Sequence, residues 1–185
     1  MWSVHCEPFK GAVITVGSTE VSIPLGAAGT DIAEKLTSVC TDIEVSPEII
    51  YALENSLQIH LANGAVAAIE IYLKEGPSSV HCLGRDYVHD LGNDIISDLE
   101  KVSSGDTLFA DVYIDCGIAI WRPVDPAELT EEYEELLSDD SWEGEFDSLS
   151  EFEEYYRGEI HRAQYLSAVL IGTAAYFESY REIQQ

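Results

Sequence analysis

The sequence predicts an α+β protein, with a strand-rich antiparallel sheet and hairpins over residues 1–122 and an acidic helical part over residues 123–185 that packs on the sheet. Short runs of alternating apolar and polar residues, separated by turn residues, dominate the first part, whereas helical periodicity dominates the second. A chain of 185 residues that is 46% apolar can bury about 70% of its unfolded surface in one core. We therefore expect a single domain over residues 1–185.

The chain is predicted to open with a β-hairpin followed by a helix. The runs AVITV (12–16) and EVSIPL (20–25) flank a Gly-Ser-Thr turn. Thr30 then suits the N-cap of a helix that has Asp31 in its first turn. Its buried side is predicted to carry Ile32, Leu36 and Val39.

The segment LQIHLANGAVAAIEIYL (57–73) contains the strongest hairpin signal, because two alternating runs meet at Asn63-Gly64. A two-residue loop would place Leu57 opposite Glu70 and mix apolar with polar side chains on one face. A three-residue loop instead pairs Leu57 with Ile71, Ile59 with Ile69, and Leu61 with Ala67. We therefore predict a bulged three-residue turn.

Three more strands and a helix are predicted before residue 123. The strand-like runs are VHCL, LFADVYI and GIAIWR, and the last two are expected to pair. NDIISDLEKV, from Asn93, predicts a capped helix with inward-facing Ile95, Ile96 and Leu99. Trp121 is expected to pack at the sheet edge on the following helix, and the alternative makes Arg122 a cation that holds the acidic face against the sheet.

Capping signals predict two helices in the second part. Asp125 and Pro126 suit the N-cap and first position of a helix through AELTEEYEELL. Ser148 or Ser150, each followed three residues later by Glu, starts a long final helix. Its inward stripe is predicted to carry Phe152, Tyr156, Ala163, Leu166, Leu170, Ala174 and Phe177. The apolar run at 165–177, shorter than the ~20 residues that span a bilayer, is interpreted as core helix.

Negative charge is concentrated in the second part. The 34 residues between Arg122 and Arg157 carry 14 carboxylates and no Lys or Arg, and the whole chain has a net charge of −26. Such a surface opposes phosphate contacts with nucleic acid or anionic lipid and favours a basic protein partner. We therefore expect no direct nucleic-acid binding and no membrane binding.

The predicted helix after Pro126 separates acids from apolar residues. At 100° per residue, Leu129, Tyr133, Leu136 and Leu137 share one arc, and Glu128, Glu131, Glu132 and Glu135 share the opposite arc. Like-charge pairs at helical spacing on that face cost on the order of 1 kcal/mol together. The acids therefore destabilise the free helix, and no nearby Lys or Arg compensates.

Three explanations are open for the acidic stretch: a solvated, partly disordered loop, adaptation to high salt, or a docking surface for a basic protein. Clustering of the acids argues against salt adaptation, which spreads acids over a surface. In the docking hypothesis, carboxylates steer the encounter, and Tyr133, Trp142, Phe146, Phe152, Tyr155 and Tyr156 supply anchors. The predicted partner-binding residues are Glu128, Glu131, Glu132, Glu135, Asp139, Asp140, Trp142, Glu143, Glu145, Phe146, Asp147, Glu151 and Glu154.

The alternating hairpin at 57–73, the helix after it and the strand pair closing on GIAIWRP resemble bacterial immunity proteins of contact-dependent inhibition and polymorphic toxin systems. The resemblance covers residues 57–123. It implies a cytoplasmic protein that binds one cognate toxin and covers its active site; the acidic stretch adds that this toxin is basic, such as a nuclease. A nucleic-acid mimic, for example a phage inhibitor of a host defence nuclease, and an enzyme with an unrecognised site are the alternatives.

No catalytic, cofactor or metal site is predicted. The dipeptides His5-Cys6 and His81-Cys82 are expected on strands, where neighbouring side chains point to opposite faces and cannot share one ion. The four cysteines lack a CxxC pair and are expected to be reduced, buried thiols in a cytosol. Cys82 with His60 or His89 provides the residue types of a nucleophile and its base, but nothing in the sequence places them together. Glu7 and Lys10 interrupt the apolar run that a signal peptide needs, so we expect no secretion signal.

Overall fold

The computed structural model describes residues 1–74, 76–103, 112–138, 141–142 and 144–182. This part of the chain contains twelve strands, paired mostly antiparallel, and five α-helices, which confirms the α+β prediction. The strands are β1 (Trp2–Glu7), β2 (Gly11–Val16), β3 (Thr19–Pro24), β4 (Glu44–Val45), β5 (Ile49–Ala52), β6 (Leu57–Ala62), β7 (Ala65–Tyr72), β8 (Ser79–Cys82), β9 (Arg85–Asp86), β10 (Val112–Tyr113), β11 (Ile118–Trp121) and β12 (Ala168–Gly172). The helices are α1 (Gly29–Leu36), α2 (Gly92–Val102), α3 (Pro126–Ser138), α4 (Leu149–Ala163) and α5 (Ala174–Glu182).

The strands form two sheets where the sequence predicted one. The five-stranded sheet has the order β3-β2-β1-β8-β9, and the seven-stranded sheet has the order β10-β11-β12-β7-β6-β5-β4. Pairing is antiparallel except between β1 and β8, which run parallel. One hydrophobic cluster joins the two sheets, because it takes Ile14 from the first, Ile69 from the second, and Ile32 and Ile95 from α1 and α2.

The opening hairpin is confirmed, and the helix caps predicted from Thr30 and Asn93 are wrong. β2 and β3 pair from Gly11 opposite Pro24 to Val16 opposite Thr19. α1 begins at Gly29 after Ala28, and α2 begins at Gly92 after Leu91. Neither N-cap side chain accepts a hydrogen bond from the first turn of its helix. Backbone groups take over at these starts: Gly29 N donates to Gly64 O at 2.8 Å, and Gly92 N donates to Gln164 O at 2.8 Å.

The register predicted for the 57–73 hairpin is correct near its base and wrong at its turn. Leu57 pairs with Ile71 and Ile59 with Ile69, as predicted, but Leu61 pairs with Val66 where Ala67 was expected. The loop has two residues, Asn63 (φ 52°) and Gly64 (φ 77°), both left-handed. A bulge between His60 and Leu61 in the register absorbs the extra residue. The apolar face is thus preserved by an irregular strand and a tight turn.

The interpretation of residues 165–177 as helix is wrong. Residues Ala168–Gly172 form β12, which lies between β11 and β7 in the middle of the seven-stranded sheet. All five residues are buried, because one face meets the main core and the other meets α5. Leu170 is therefore buried in a strand, Phe177 is buried in α5, and Ala174, predicted to face inward, is exposed.

The C-terminal helices pack on the sheet, as predicted. α5 covers part of the outer face of the seven-stranded sheet, where Phe177 meets Ala68, Ala119 and Leu170. The predicted pairing of 108–114 with 117–122 is present as β10 with β11, and residues 108–111 lie outside the described residues. No helix in the described part of the chain combines the length and apolarity needed to cross a bilayer.

Candidate functional site

α3 and α4 form a helical hairpin whose two starts are capped by the predicted residues. Asp125 Oδ1 accepts a hydrogen bond from Ala127 N at 2.8 Å, which caps α3. Ser148 Oγ accepts from Glu151 N at 3.3 Å, which caps α4. The Glu151 carboxylate reaches back to Asp147 N at 3.0 Å, so the box closes one residue earlier than expected. We call residues 126–163 the acidic hairpin.

The aromatic side chains of the acidic hairpin pack on one another. Phe152, which is fully buried, is stacked with Tyr133 at a ring-centroid distance of 5.4 Å and with Trp142 at 5.8 Å. Phe146 meets it edge-on at 5.4 Å, and Tyr156 lies 4.9 Å away. Phe152 and Tyr156 are buried, which confirms their place on the predicted inward stripe and leaves them unavailable as the anchors of the docking hypothesis. Tyr155 is the most accessible of the six, at 49% exposed.

Three glutamates of α3 project into solvent. Glu128, Glu131 and Glu135 are exposed, and none forms an ion pair with another described residue. The apolar arc is confirmed for Leu129, Tyr133 and Leu136, which are half-buried, whereas Leu137 is exposed. α3 therefore attaches to α4 by one face and offers carboxylates on another.

Glu132 differs from the other acids of the predicted face. Its carboxylate accepts a hydrogen bond from Tyr156 Oη at 2.6 Å. Burial and this neighbouring carboxylate raise the pKa of Tyr156 above its ordinary value, so the phenol stays protonated as the donor. Glu132 is thus engaged inside the acidic hairpin.

The remaining predicted partner-binding acids lie on the connection and on α4. Glu145, Asp147, Glu151 and Glu154 are exposed, while Asp139, Asp140 and Glu143 lie outside the described residues. The predicted contacts Trp142 and Phe146 are half-buried against Phe152. Two arginines follow on α4, and Arg162 forms an ion pair with Glu159 in the same helix. The described residues of the predicted partner-binding set therefore lie on α3, on α4 and on the connection between them.

Arg122 anchors the start of the acidic hairpin. Its guanidinium donates to Asn93 Oδ1 at 2.6 Å and to Asp125 Oδ2 at 2.6 Å. The side chain is 14% exposed, so the charge is largely removed from solvent. The alternative in which Arg122 holds the acidic face against the sheet is therefore correct in part. Arg122 joins Asp125, the N-cap residue of α3, to Asn93 of α2. Trp121, expected to be covered by the next helix, is 38% exposed.

Sequence reasoning missed a polar and aromatic patch on the outer face of the seven-stranded sheet. His60 Nε2 lies 3.0 Å from Glu70 Oε2, and both side chains are mostly buried. Tyr72 and Trp121 are exposed on the same face. Strand alternation could have predicted this patch. Ile69 and Ile71 face the core, and Tyr72, the residue after Ile71, therefore points to the opposite face of the sheet.

The thiols are placed as packing residues. Cys6 and Cys82 are neighbours in the β1/β8 register and are buried, whereas His5 and His81 are exposed on the other face, as predicted for both dipeptides. The hydrogen bond with Cys82 and burial raise the pKa of Cys6, which disfavours a nucleophilic thiolate. Cys40 and Cys116, expected to be buried, are partly exposed.

Cys82 does not form a nucleophile and base pair with either His60 or His89. His60 is bound to Glu70 in the other sheet, and His89 Nδ1 lies 2.8 Å from Asp86 Oδ2. A cavity of about 640 Å³ lies between α2 and the turns that join β1 to β2 and β8 to β9. Its lining includes the apolar side chains of Phe9 and Ile95 and the thiol of Cys116. Burial raises the pKa of Cys116, so this thiol is not activated. The described residues contain no cluster of three or more ligands suited to a metal ion.

Comparison with known proteins gives no relative for this chain. No protein-family model matches it, and no curated protein and no solved structure is significantly similar.

Proposed function

We propose that this chain is an immunity-type inhibitor, a non-catalytic cytoplasmic protein that binds a basic toxin such as a nuclease through its acidic hairpin. The observation that carries the proposal is the set of exposed glutamates on α3, Glu128, Glu131 and Glu135, without cationic partners among the described residues. Ordinary solvated helices mix Lys with Glu, because such pairs stabilise the helix and like-charge pairs destabilise it. A cationic partner removes that penalty on binding.

The internal packing of the acidic hairpin also supports the proposal. Phe152 and its aromatic neighbours form a small core of their own, separate from the cluster that joins the two sheets. Arg122 and the two caps fix the helix starts. A prearranged surface loses less conformational entropy on binding than a disordered loop does. This organisation favours docking over the solvated-loop explanation.

The test compares three proteins in affinity capture followed by mass spectrometry. The first is the wild type, and the second carries Glu128→Gln, Glu131→Gln and Glu135→Gln. The third is a matched control with Glu20→Gln, Glu34→Gln and Glu44→Gln, which makes the same charge change at exposed sites outside the hairpin. Glu132 is left unchanged because it is bonded to Tyr156.

The proposal predicts that the wild type and the control retain one basic protein that the α3 variant loses. Recovery of that protein by all three would contradict a docking role for α3. Retention of several unrelated nucleic-acid-binding proteins would favour the nucleic-acid mimic instead, because a mimic competes wherever phosphates bind.

A further inference from the structure

Two exposed aromatic side chains share one cross-strand row on the outer face of the seven-stranded sheet. Tyr72 of β7 and Trp121 of β11 both pair with Ala168 of β12, which lies between them. Tyr72 is 40% exposed and Trp121 is 38% exposed, whereas Ala168 is buried. α5 covers the neighbouring part of this face, around Leu170 and Ala68, and leaves these two rings accessible.

The Glu70 carboxylate lies on the same face of the sheet as the two rings, and its Oε2 lies 3.0 Å from His60 Nε2. Glu70 is two residues before Tyr72 on β7 and therefore on the same face of the sheet. Its side chain is 14% exposed, so its charge is partly removed from water. Burial and the charge of Glu70 raise the pKa of Tyr72. We call Tyr72 and Trp121, together with the neighbouring Glu70, the aromatic row.

We propose that the aromatic row is an anchor site for an arginine side chain of a basic protein partner. The inference rests on the proposed function, because it assigns a second contact to the same partner. Arginine fits this chemistry, since a guanidinium stacks on Trp and Tyr rings and pairs with a carboxylate at the same time. The net charge of −26 attracts such a partner to the molecule.

The aromatic row adjoins both ends of the acidic hairpin along the chain. α3 begins at Pro126, shortly after Trp121, and α4 ends at Ala163, shortly before Ala168. Ser167 N donates to Trp121 O at 2.7 Å, which ties the two chain segments together at this point. A partner that contacts the carboxylates of α3 can therefore reach Trp121. The rings of the hairpin itself are mostly committed to Phe152, so the row supplies the exposed aromatic contacts that an interface core requires.

A defined peptide tests the site without an identified partner. The probe is a synthetic peptide of alternating arginine and glycine, compared with its lysine counterpart. The readouts are the NMR signals of the tryptophan indole N–H groups and of the backbone amides of β7, β11, α3 and α4, so that binding to Trp121→Leu is also measured. Trp2 is only 8% exposed, so its indole signal provides an internal reference. The variants are Tyr72→Leu and Trp121→Leu, which keep apolar bulk and remove the ring, and the control is the exposed Leu83→Ala. Backbone amide spectra establish that each variant is folded.

We expect the arginine peptide to shift the Trp121 signal at lower concentration than the lysine peptide does. Each leucine variant should bind the arginine peptide about twofold to fivefold more weakly, as the loss of one cation–π contact predicts, and Leu83→Ala should bind like the wild type. An unmoved Trp121 signal, or leucine variants that bind like the wild type, would overturn the anchor site.

The same titration separates this inference from the proposed function. Shifts confined to α3 and α4 would reject the aromatic row and leave the acidic hairpin as the docking surface. Shifts at Trp121 that persist in the Glu128→Gln, Glu131→Gln, Glu135→Gln variant, with α3 unmoved in the wild type, would support the row and contradict the proposed function. The absence of any shift would contradict both.

Discussion

Arg122 is the residue whose contacts most directly connect the sheet to the acidic hairpin. Replacing it with Met keeps the aliphatic stem and removes the hydrogen bonds to Asn93 and Asp125. We expect Arg122→Met to lower the free energy of unfolding by about 1–2 kcal/mol, measured by urea denaturation, because charge-assisted bonds at a mostly buried site are lost. Arg162→Met is the control and should cost less than about 0.5 kcal/mol, since Arg162 is 55% exposed. Equal losses in the two variants would refute this role.

Tyr156 makes stability depend on pH in the alkaline range. Its pKa is raised in the folded protein, so the unfolded chain, with an ordinary pKa of about 10, loses the phenolic proton first. The free energy of unfolding should therefore fall as pH rises above about 10, and it should fall less steeply in Tyr156→Phe. Tyr72 and Tyr87 are raised in the same direction, so a residual slope is expected in the variant. Identical slopes in urea titrations at about pH 9 to 11 would disprove the assignment to Tyr156.

At the scale of elements, two glycines should respond to alanine with opposite sign. Gly64 has φ 77° in the β6/β7 turn, where an L-residue is strained, so Gly64→Ala should cost about 1 kcal/mol. Gly158 lies within α4, and a Cβ there would meet Arg162 atoms at 3.7 Å or more, which is ordinary contact. Gly158→Ala should therefore raise the free energy of unfolding by about 0.5–1 kcal/mol. Thermal or urea unfolding of both variants checks the prediction, and the same sign for both would contradict it.

The elements also show where sequence patterns suffice. Alternation predicted the pairing of Leu57 with Ile71, because one face of the hairpin must be buried. It could not distinguish a three-residue loop from a two-residue loop with a bulge, because both keep that face buried. A strand buried on both sides loses its alternation, so β12 could not be distinguished from a helix by period. Asp125 and Ser148 were identifiable because caps are local, whereas the backbone partners at Gly29 and Gly92 come from distant segments.

At the scale of the whole molecule, the carboxylates of α3 should cost the free protein stability. Glu128→Gln, Glu131→Gln and Glu135→Gln together remove the like-charge pairs of the face, and the loss of Glu128 from the first turn offsets part of the gain. We expect a net increase of about 0.5 kcal/mol in the free energy of unfolding at low salt, shrinking as salt is added. The control variant at Glu20, Glu34 and Glu44 should change less. A less stable α3 variant would show that these acids support the fold.

The candidate site was predictable as a charged segment but not as a surface. Helical periodicity correctly predicted that Glu128, Glu131 and Glu135 are exposed, because it separates them from Leu129 and Tyr133. The engagement of Glu132 by Tyr156 depends on how α3 and α4 cross, which no local pattern encodes. The juxtaposition of Tyr72 with Trp121 depends on the order of strands that are distant in sequence.

The association rate constant of the captured basic protein tests the central claim most directly. It should be measured at low and at physiological salt for the wild type, the α3 variant and the matched control. We expect the rate constant for the wild type and the control to fall steeply with salt. The α3 variant should associate at least about tenfold more slowly at low salt, because electrostatic steering is lost. Equal rate constants for the wild type and the α3 variant would contradict the claim that the acidic hairpin is the docking surface.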